Sequence, residues 1–128
     1  MEMQQSLPAT VESVAVARHA VRRFVANLGV DMDGIALAVS EAVANAVVHA
    51  YDEGASGVIE LSATASPMEV AVVVRDRGRG LRAARDTHGA GFGIGIIRQL
   101  AQHVSLDETP SGVALTMRFR RGGAWSAP

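Results

Sequence analysis

Two residue types are missing from this chain of 128 residues, which has no cysteine and no lysine. Without cysteine there is no disulfide framework, no thiolate nucleophile and no cysteine-ligated zinc. Without lysine, the P-loop pattern GxxxxGK[ST] cannot form, and a eukaryotic-type protein kinase would lack its strand lysine. Schiff-base chemistry is excluded for the same reason. All 12 basic residues are arginines, so enzyme classes that depend on a lysine are excluded.

The chain also has no long apolar run, almost no net charge and few aromatic residues. No apolar stretch approaches the ~20 residues that cross a bilayer, and the first residues lack the basic and apolar regions of a signal peptide. The net charge of −1 and the aromatic content of 4% disfavour a nucleic-acid surface built from basic groups and stacking rings. We therefore expect a cytoplasmic protein of one globular domain that contacts neither membrane nor nucleic acid directly.

The hydrophobic pattern predicts five strands and three helices in the order β, α, α, β, β, α, β, β. Strands joined by tight turns pair antiparallel, which argues against an alternating parallel α/β design. The expected fold class is α+β, a two-layer α/β sandwich with a mixed, mostly antiparallel sheet and three helices on one face. This domain occupies residues 1–120, and residues 121–128 are expected to be a disordered tail. The predicted strands are 3–7, 58–64, 68–74, 104–108 and 113–119, and the predicted helices are 10–28, Asp31 or Asp33 to about Ala50, and 93–102.

A polar stripe interrupts the apolar second helix, because Glu41, Asn45 and His49 recur at four-residue spacing. Residues four apart stack on one face of a helix. A carboxylate and an amide one turn apart can hold a hydrated metal ion and orient a nucleophile. The same spacing also suits a solvated helix face, although the surrounding alanines and valines indicate a helix buried on most sides. The stripe alone leaves both interpretations open.

An aspartate followed by two glycines, Asp76-Arg77-Gly78-Arg79-Gly80, comes directly after a strongly apolar strand. An aspartate at a strand end can accept hydrogen bonds from a ligand amine such as the adenine N6 group. Glycines beside it let the backbone approach a flat base with no Cβ in the way. The same residues can also simply end a strand in a turn.

A second glycine motif, Gly89-Ala-Gly91-Phe-Gly93-Ile-Gly95, leads into the third predicted helix. Alternating glycines at the start of a helix can present successive backbone N–H groups to an anion. The dinucleotide fingerprint GxGxxG is not matched by this spacing. A flexible linker is the alternative, but the interleaved phenylalanine and isoleucines are not linker composition.

In this order the three motifs resemble the N box, G1 box and G2 box of the GHKL ATPase superfamily, whose ATP-binding domains have the Bergerat fold. The segment SEAVANAVVHAY, residues 40–51, is similar to the corresponding segment of bacterial anti-sigma-factor serine/threonine kinases. The resemblance covers residues 10–119, nearly the whole chain.

The resemblance implies a role for each motif residue. Asn45 would coordinate the Mg²⁺ that bridges the ATP phosphates, and Glu41 would be the general base that activates the attacking hydroxyl. Asp76 would bind adenine. The other implied nucleotide contacts are Gly78 and Gly80 beside Asp76, Gly89, Gly91 and Gly93 on the phosphate side, and Thr116 near adenine.

The function implied by the resemblance is that of an ATP- and Mg²⁺-dependent serine/threonine protein kinase. It would phosphorylate an anti-anti-sigma partner, sequester a sigma factor, and form a homodimer in which the first strand and helix often make the contact. Only residues 81–88 separate the two glycine motifs, and Thr87 stands where relatives have an arginine that touches the γ-phosphate. Arg82, Arg85 or a partner's arginine can substitute. The alternative is a nucleotide-gated protein-binding module with little or no kinase activity.

Overall fold

A computed structural model describes residues 1–50, 57–77, 94–109 and 112–122 of the chain (for His49, Ala50 and Thr109, the backbone alone). The order and type of its elements agree with the prediction, and their ends differ from it by no more than three residues. No helix in these ranges is both long enough and apolar enough to cross a bilayer. The elements are β1 (Glu2–Pro8), α1 (Glu12–Val25), α2 (Met32–Ala50), β2 (Val58–Ala65), β3 (Glu69–Asp76), α3 (Ile94–Leu100), β4 (His103–Thr109) and β5 (Gly112–Arg120).

The five strands form one sheet in the order β1-β2-β3-β5-β4. Each of the four pairings is antiparallel, so the expectation of a mostly antiparallel sheet is confirmed. The strands β3 and β4 run in the same direction, but β5 lies between them and pairs with both. The connection from β3 to β4 contains α3 and passes over one strand position in the sheet. The last strand, β5, occupies that position.

One face of the sheet carries the core, and all three helices contribute to the layer that covers it. Side chains alternate between the two faces of a strand, and the inward set is almost fully buried. Helix α1 packs against α2, β1 and β2, while α2 packs against β3 and α3. Burying each of the larger aliphatic side chains stabilises the fold by roughly 1.5–3 kcal/mol. The sheet residues of this core are Leu7, Ile59, Leu61, Ala63, Val70, Val72, Val74, Val113, Leu115, Met117 and Phe119.

Helix α2 begins where Asp31 caps its first turn. The Asp31 Oδ1 atom accepts a hydrogen bond of 3.0 Å from the backbone N–H of Gly34, which satisfies one of the free donors at a helix start. The other candidate cap, Asp33, instead accepts a hydrogen bond of 2.9 Å from Arg22 of α1. The fully buried Ala38, Ala42 and Ala46 give α2 a narrow face that can lie close to the sheet.

Arg121 and Gly122, which the sequence assigned to a disordered tail, are hydrogen-bonded to the body of the domain. The Arg121 side chain donates hydrogen bonds to the Leu28 carbonyl at 2.9 Å and to the Ser66 carbonyl at 2.7 Å. Its backbone N–H donates to the Met68 carbonyl at 2.9 Å. Composition alone could not reveal this, because the acceptors are backbone carbonyls of two distant turns. The prediction for residues 123–128 concerns a segment outside the described residues.

Candidate functional site

Two members of the polar stripe of α2, Glu41 and Asn45, are at least partly buried in the structure. Asn45 is only 7% exposed, and Glu41, one turn earlier, is half-buried. Among the residues that the structure describes, the Asn45 side-chain nitrogen Nδ2 has no hydrogen-bond partner. A buried polar group without a partner costs roughly 1–3 kcal/mol. A buried amide of this kind fits the ligand-binding role that the sequence predicts for Asn45.

Asp76 is the last residue of β3 and lies on the helix-covered face of the sheet. The alternation that buries Val72 and Val74 continues to Asp76, which has no exposed surface. Burial of a carboxylate is costly unless hydrogen-bond donors surround it. A buried aspartate is therefore unusual at a strand position that a hydrophobic residue could fill. Because α2 packs against β3, the buried Asn45 and Asp76 lie on the helix-covered side of the sheet. The structure thus brings two carboxylates, those of Glu41 and Asp76, and the amide of Asn45 to one side of the sheet.

The start of β5 comes very close to Asp76, and this contact requires a glycine. Gly112 has a φ of 150°, a conformation that other residues rarely adopt. A Cβ on Gly112 would lie 2.2 Å from the Asp76 carbonyl oxygen. The next residue, Val113, pairs with Asp76 and is buried on the same face. Neither was among the predicted site residues, because the sequence shows Gly112 only as part of a turn.

Thr116 is separated from these residues by the thickness of the sheet. It pairs with Val73 and Ser105, whereas its neighbours Leu115 and Met117 are buried under the helices. Thr116 therefore points to the face that no helix covers. This position does not fit the predicted contact of Thr116 with adenine beside Asp76, and the reason is the strict alternation of side chains along β5.

The glycines of the two loop motifs, Gly78, Gly80, Gly89, Gly91 and Gly93, lie outside the described residues. Their contacts with adenine and phosphate remain predictions. The same holds for the lid positions 82, 85 and 87 and for the side chain at position 49.

The donor set on α2 fits the magnesium ion that accompanies a nucleoside triphosphate. Mg²⁺ prefers hard oxygen ligands, and it is usually held by one or two protein side chains together with substrate phosphates and water. Glu41 and Asn45 offer a carboxylate and an amide oxygen one helical turn apart on α2. Within the same ranges no cluster of three or more acidic or histidine side chains could hold an ion by protein ligands alone. The residues present therefore suit an ion that arrives with its nucleotide.

Helices cover one face of the sheet. One of them carries Glu41 and Asn45, and a buried aspartate, Asp76, ends a strand on the same side. This is the arrangement of a GHKL-type nucleotide-binding domain. The sequence profile of the histidine kinase-like ATPase domain matches residues 7–119. The chain belongs to this family, and the resemblance drawn from its three motifs is confirmed.

Within the family, the chain is similar to bacterial anti-sigma proteins. It is 32% identical to the anti-sigma F factor of Bacillus subtilis over 134 residues, which cover 94% of this chain and 91% of that protein. It is also 32% identical to the serine-protein kinase RsbW of Halalkalibacterium halodurans, over 90% of this chain and 80% of the relative. The similarity to an anti-sigma kinase-like domain thus extends over nearly the full length.

A solved structure shows the same fold. The structure of RsbU and RsbW domains from Mycobacterium tuberculosis superposes with a TM-score of 0.72 over 99% of this chain, at 24% identity. Our chain spans 35% of that longer protein, so this likeness concerns the fold of one domain.

Proposed function

We propose that the chain is an ATP- and Mg²⁺-binding serine/threonine kinase of the anti-sigma type. In this proposal it transfers the γ-phosphoryl group of ATP to a hydroxyl of an anti-anti-sigma partner and sequesters a sigma factor in the cytoplasm. The names of the relatives support the anti-sigma kinase class. The observation that carries the proposal is the buried pair on the two layers, Asn45 on α2 and Asp76 at the end of β3.

The chemistry assigns a distinct task to each side chain. Asp76 accepts hydrogen bonds from the exocyclic amine of adenine, a role that needs an acceptor at a fixed place in a dry environment. Asn45 would hold Mg²⁺ through its amide oxygen, and the ion neutralises charge on the β- and γ-phosphates when it is bound. Glu41 remains half-buried, so a hydroxyl from a second protein can reach it from solvent.

The transfer step uses Glu41 as a general base. As the acceptor oxygen forms its bond to the γ-phosphorus, the bond from that phosphorus to the β-bridging oxygen breaks and ADP leaves. The hydroxyl proton moves to the Glu41 carboxylate, which must therefore be ionised before the reaction. The backbone amides of the Gly89–Gly93 segment are proposed to hold the phosphates.

Calorimetry with ATP and Mg²⁺ tests the nucleotide site. We expect the wild type to bind, and we expect Asp76→Asn to lose about tenfold or more in affinity because an amide presents a donor to the adenine amine, a loss of about 1.4 kcal/mol or more. Ser105→Ala, on the uncovered face of the sheet, is the matched control and should bind as the wild type does. Equal affinity for Asp76→Asn and wild type would remove Asp76 from the site.

The kinase assignment is tested with labelled ATP and a purified anti-anti-sigma protein encoded near the chain's gene. Glu41→Ala should keep nucleotide binding and lose phosphate transfer by about 10²–10⁴-fold, the usual contribution of a general base. Transfer at the wild-type rate by this variant would show that another group takes the proton.

A second candidate function is a nucleotide-gated binding module with little or no kinase activity. The threonine at position 87 favours it, since relatives place there an arginine that touches the γ-phosphate. In that case the wild type binds ATP and a sigma factor but transfers no label to any anti-anti-sigma protein. The same assay therefore separates the two candidates.

A further inference from the structure

The helix-covered side of the edge strand β4 carries a carboxylate, Glu108, that has no part in the proposed transfer step. Along β4, Val104 and Leu106 point towards the helices and pack against the core. The alternation of side chains along a strand gives Glu108 the same direction, yet Glu108 is exposed. An acid therefore follows two apolar residues on the side of the sheet that carries the nucleotide site.

The strand register places Glu108 in one row with Asp76. Glu108 pairs with Val113 of β5, and Val113 pairs with Asp76 of β3, so the three side chains lie on one face. Neighbouring strands are about 4.8 Å apart, and the backbones of Asp76 and Glu108 are therefore separated by about 10 Å. The residue between them, Val113, is apolar and buried. Two carboxylates, one buried and one exposed, thus lie two strands apart on the helix-covered side.

We propose that Glu108 binds the ribose of the nucleotide whose adenine is held at Asp76, an inference that rests on the proposed function. The exocyclic amine and the sugar are attached at opposite ends of adenine. A nucleotide with its amine at Asp76 and its base along the row therefore directs its sugar towards Glu108. The exposure of Glu108 fits a ligand group that lies nearer to solvent than the adenine amine does.

The chemistry of a carboxylate is complementary to that of a ribose. An ionised carboxylate only accepts hydrogen bonds, and the two neighbouring hydroxyl groups of ribose can both donate. Hydrogen bonds to an ionised group are roughly twice as strong as those between neutral groups. An acidic side chain binds a ribose hydroxyl in dinucleotide-binding folds as well. Glu108 therefore distinguishes a ribonucleotide from its deoxy analogues.

The negative charge of Glu108 gives this contact selectivity rather than general attraction for nucleotides. A carboxylate near a triphosphate repels every nucleotide, whereas its hydrogen bonds favour only a sugar that has hydroxyl groups. The proposed Mg²⁺ ligand Asn45 lies on α2, which packs against β3 and α3, while Glu108 lies on the edge strand β4. Different elements therefore hold the phosphates and the sugar, which limits the repulsion.

Calorimetry with ATP and its 2′-deoxy and 3′-deoxy analogues, each with Mg²⁺, tests this assignment. The three ligands carry the same charge, so the ratio of their dissociation constants reports the hydroxyl contacts without the repulsion. For the wild type, we expect at least one analogue to bind about tenfold or more weakly than ATP. With Glu108→Ala, ATP and the analogues should bind equally well, whatever the change in the affinity for ATP itself. Glu108→Gln should keep part of the difference, because its amide oxygen still accepts a hydrogen bond.

Asp107→Ala is the matched control, because Asp107 is the preceding acid of the same strand and lines a groove on the uncovered face of the sheet. This variant should discriminate between ATP and the analogues as the wild type does. Equal binding of all three ligands by the wild type, undiminished discrimination by Glu108→Ala, or an equal loss of it in Asp107→Ala would each overturn the role of Glu108 while ATP binding stands. A wild type that binds no ATP would overturn the proposed nucleotide site and this assignment with it.

Discussion

At the scale of single residues, Asn45 and Gly112 are unfavourable for the stability of the chain without a ligand. Asn45 is buried with an unsatisfied nitrogen in the described parts of the structure, where alanine would suit the helix better. Gly112 keeps an unusual backbone conformation so that β5 can lie against Asp76. The unsatisfied amide of Asn45 fits its proposed role in binding a ligand, whereas Gly112 is required by the close approach of β5 to Asp76.

Replacing Asn45 with alanine should separate stability from binding. Without nucleotide, we expect Asn45→Ala to be as stable as the wild type or more stable by up to about 2 kcal/mol, because a buried unsatisfied donor is removed and helix propensity rises. Its affinity for ATP with Mg²⁺ should fall. Urea denaturation and calorimetry measure the two effects. A clear loss of stability in the absence of nucleotide would show that the amide has a structural partner.

Gly112→Ala should damage both the fold and the nucleotide site. The added Cβ would meet backbone atoms of Asp76 and Arg77, which cannot rotate away as a side chain can, so we expect a loss of about 2–4 kcal/mol. Gly95→Ala is the matched control, because nothing lies within 4 Å of its Cβ position and alanine in a helix gains up to about 1 kcal/mol. Similar melting temperatures for the two variants would contradict the close approach of β5 to Asp76.

At the scale of elements, the start of α2 determines where the stripe falls. Because Asp31 caps the first turn and α2 runs from Met32 to Ala50, Glu41 and Asn45 lie in the regular interior of the helix. The small buried alanines Ala38, Ala42 and Ala46 allow α2 to pack closely against β3.

The two neighbouring acids of this turn should differ in their contributions. We expect Asp31→Ala to lower stability by about 1 kcal/mol, since it removes the cap of α2. Asp33→Ala should cost no more than about 0.5 kcal/mol, because it loses only an exposed ion pair with Arg22. Chemical denaturation of the two variants side by side measures the difference. If the Asp33 variant were the less stable one, the helix would have to begin later than it does here.

At the scale of the whole molecule, Arg121 joins parts of the chain that are far apart in sequence. Its hydrogen bonds reach the loop after α1 and the turn between β2 and β3, so the end of β5 is fixed to both layers. This end of the domain is opposite to the one that carries Asp76. Backbone and guanidinium contacts thus close the domain at the end opposite to Asp76.

Removal of this contact should weaken the fold without touching the nucleotide site. We expect Arg121→Ala to lose about 1–2 kcal/mol, since charged hydrogen bonds to carbonyls are worth more than exposed ion pairs. Arg98→Ala, an exposed arginine of α3, should change stability by less than about 0.5 kcal/mol. Thermal melts with and without ATP measure both, and the shift produced by ATP should be the same in each variant as in the wild type.

The sequence by itself determined the elements, the sheet-and-helix class and the family, because alternation, helical period and the three polar motifs are local patterns that need no knowledge of distant contacts. Glu41, Asn45 and Asp76 were predicted as site residues in the same way. Tertiary structure alone decided that Thr116 lies on the other face, that Gly112 and Val113 lie against Asp76, and that Arg121 belongs to the ordered domain. Those facts depend on strand register and on carbonyl groups of remote turns, and a linear pattern does not specify either.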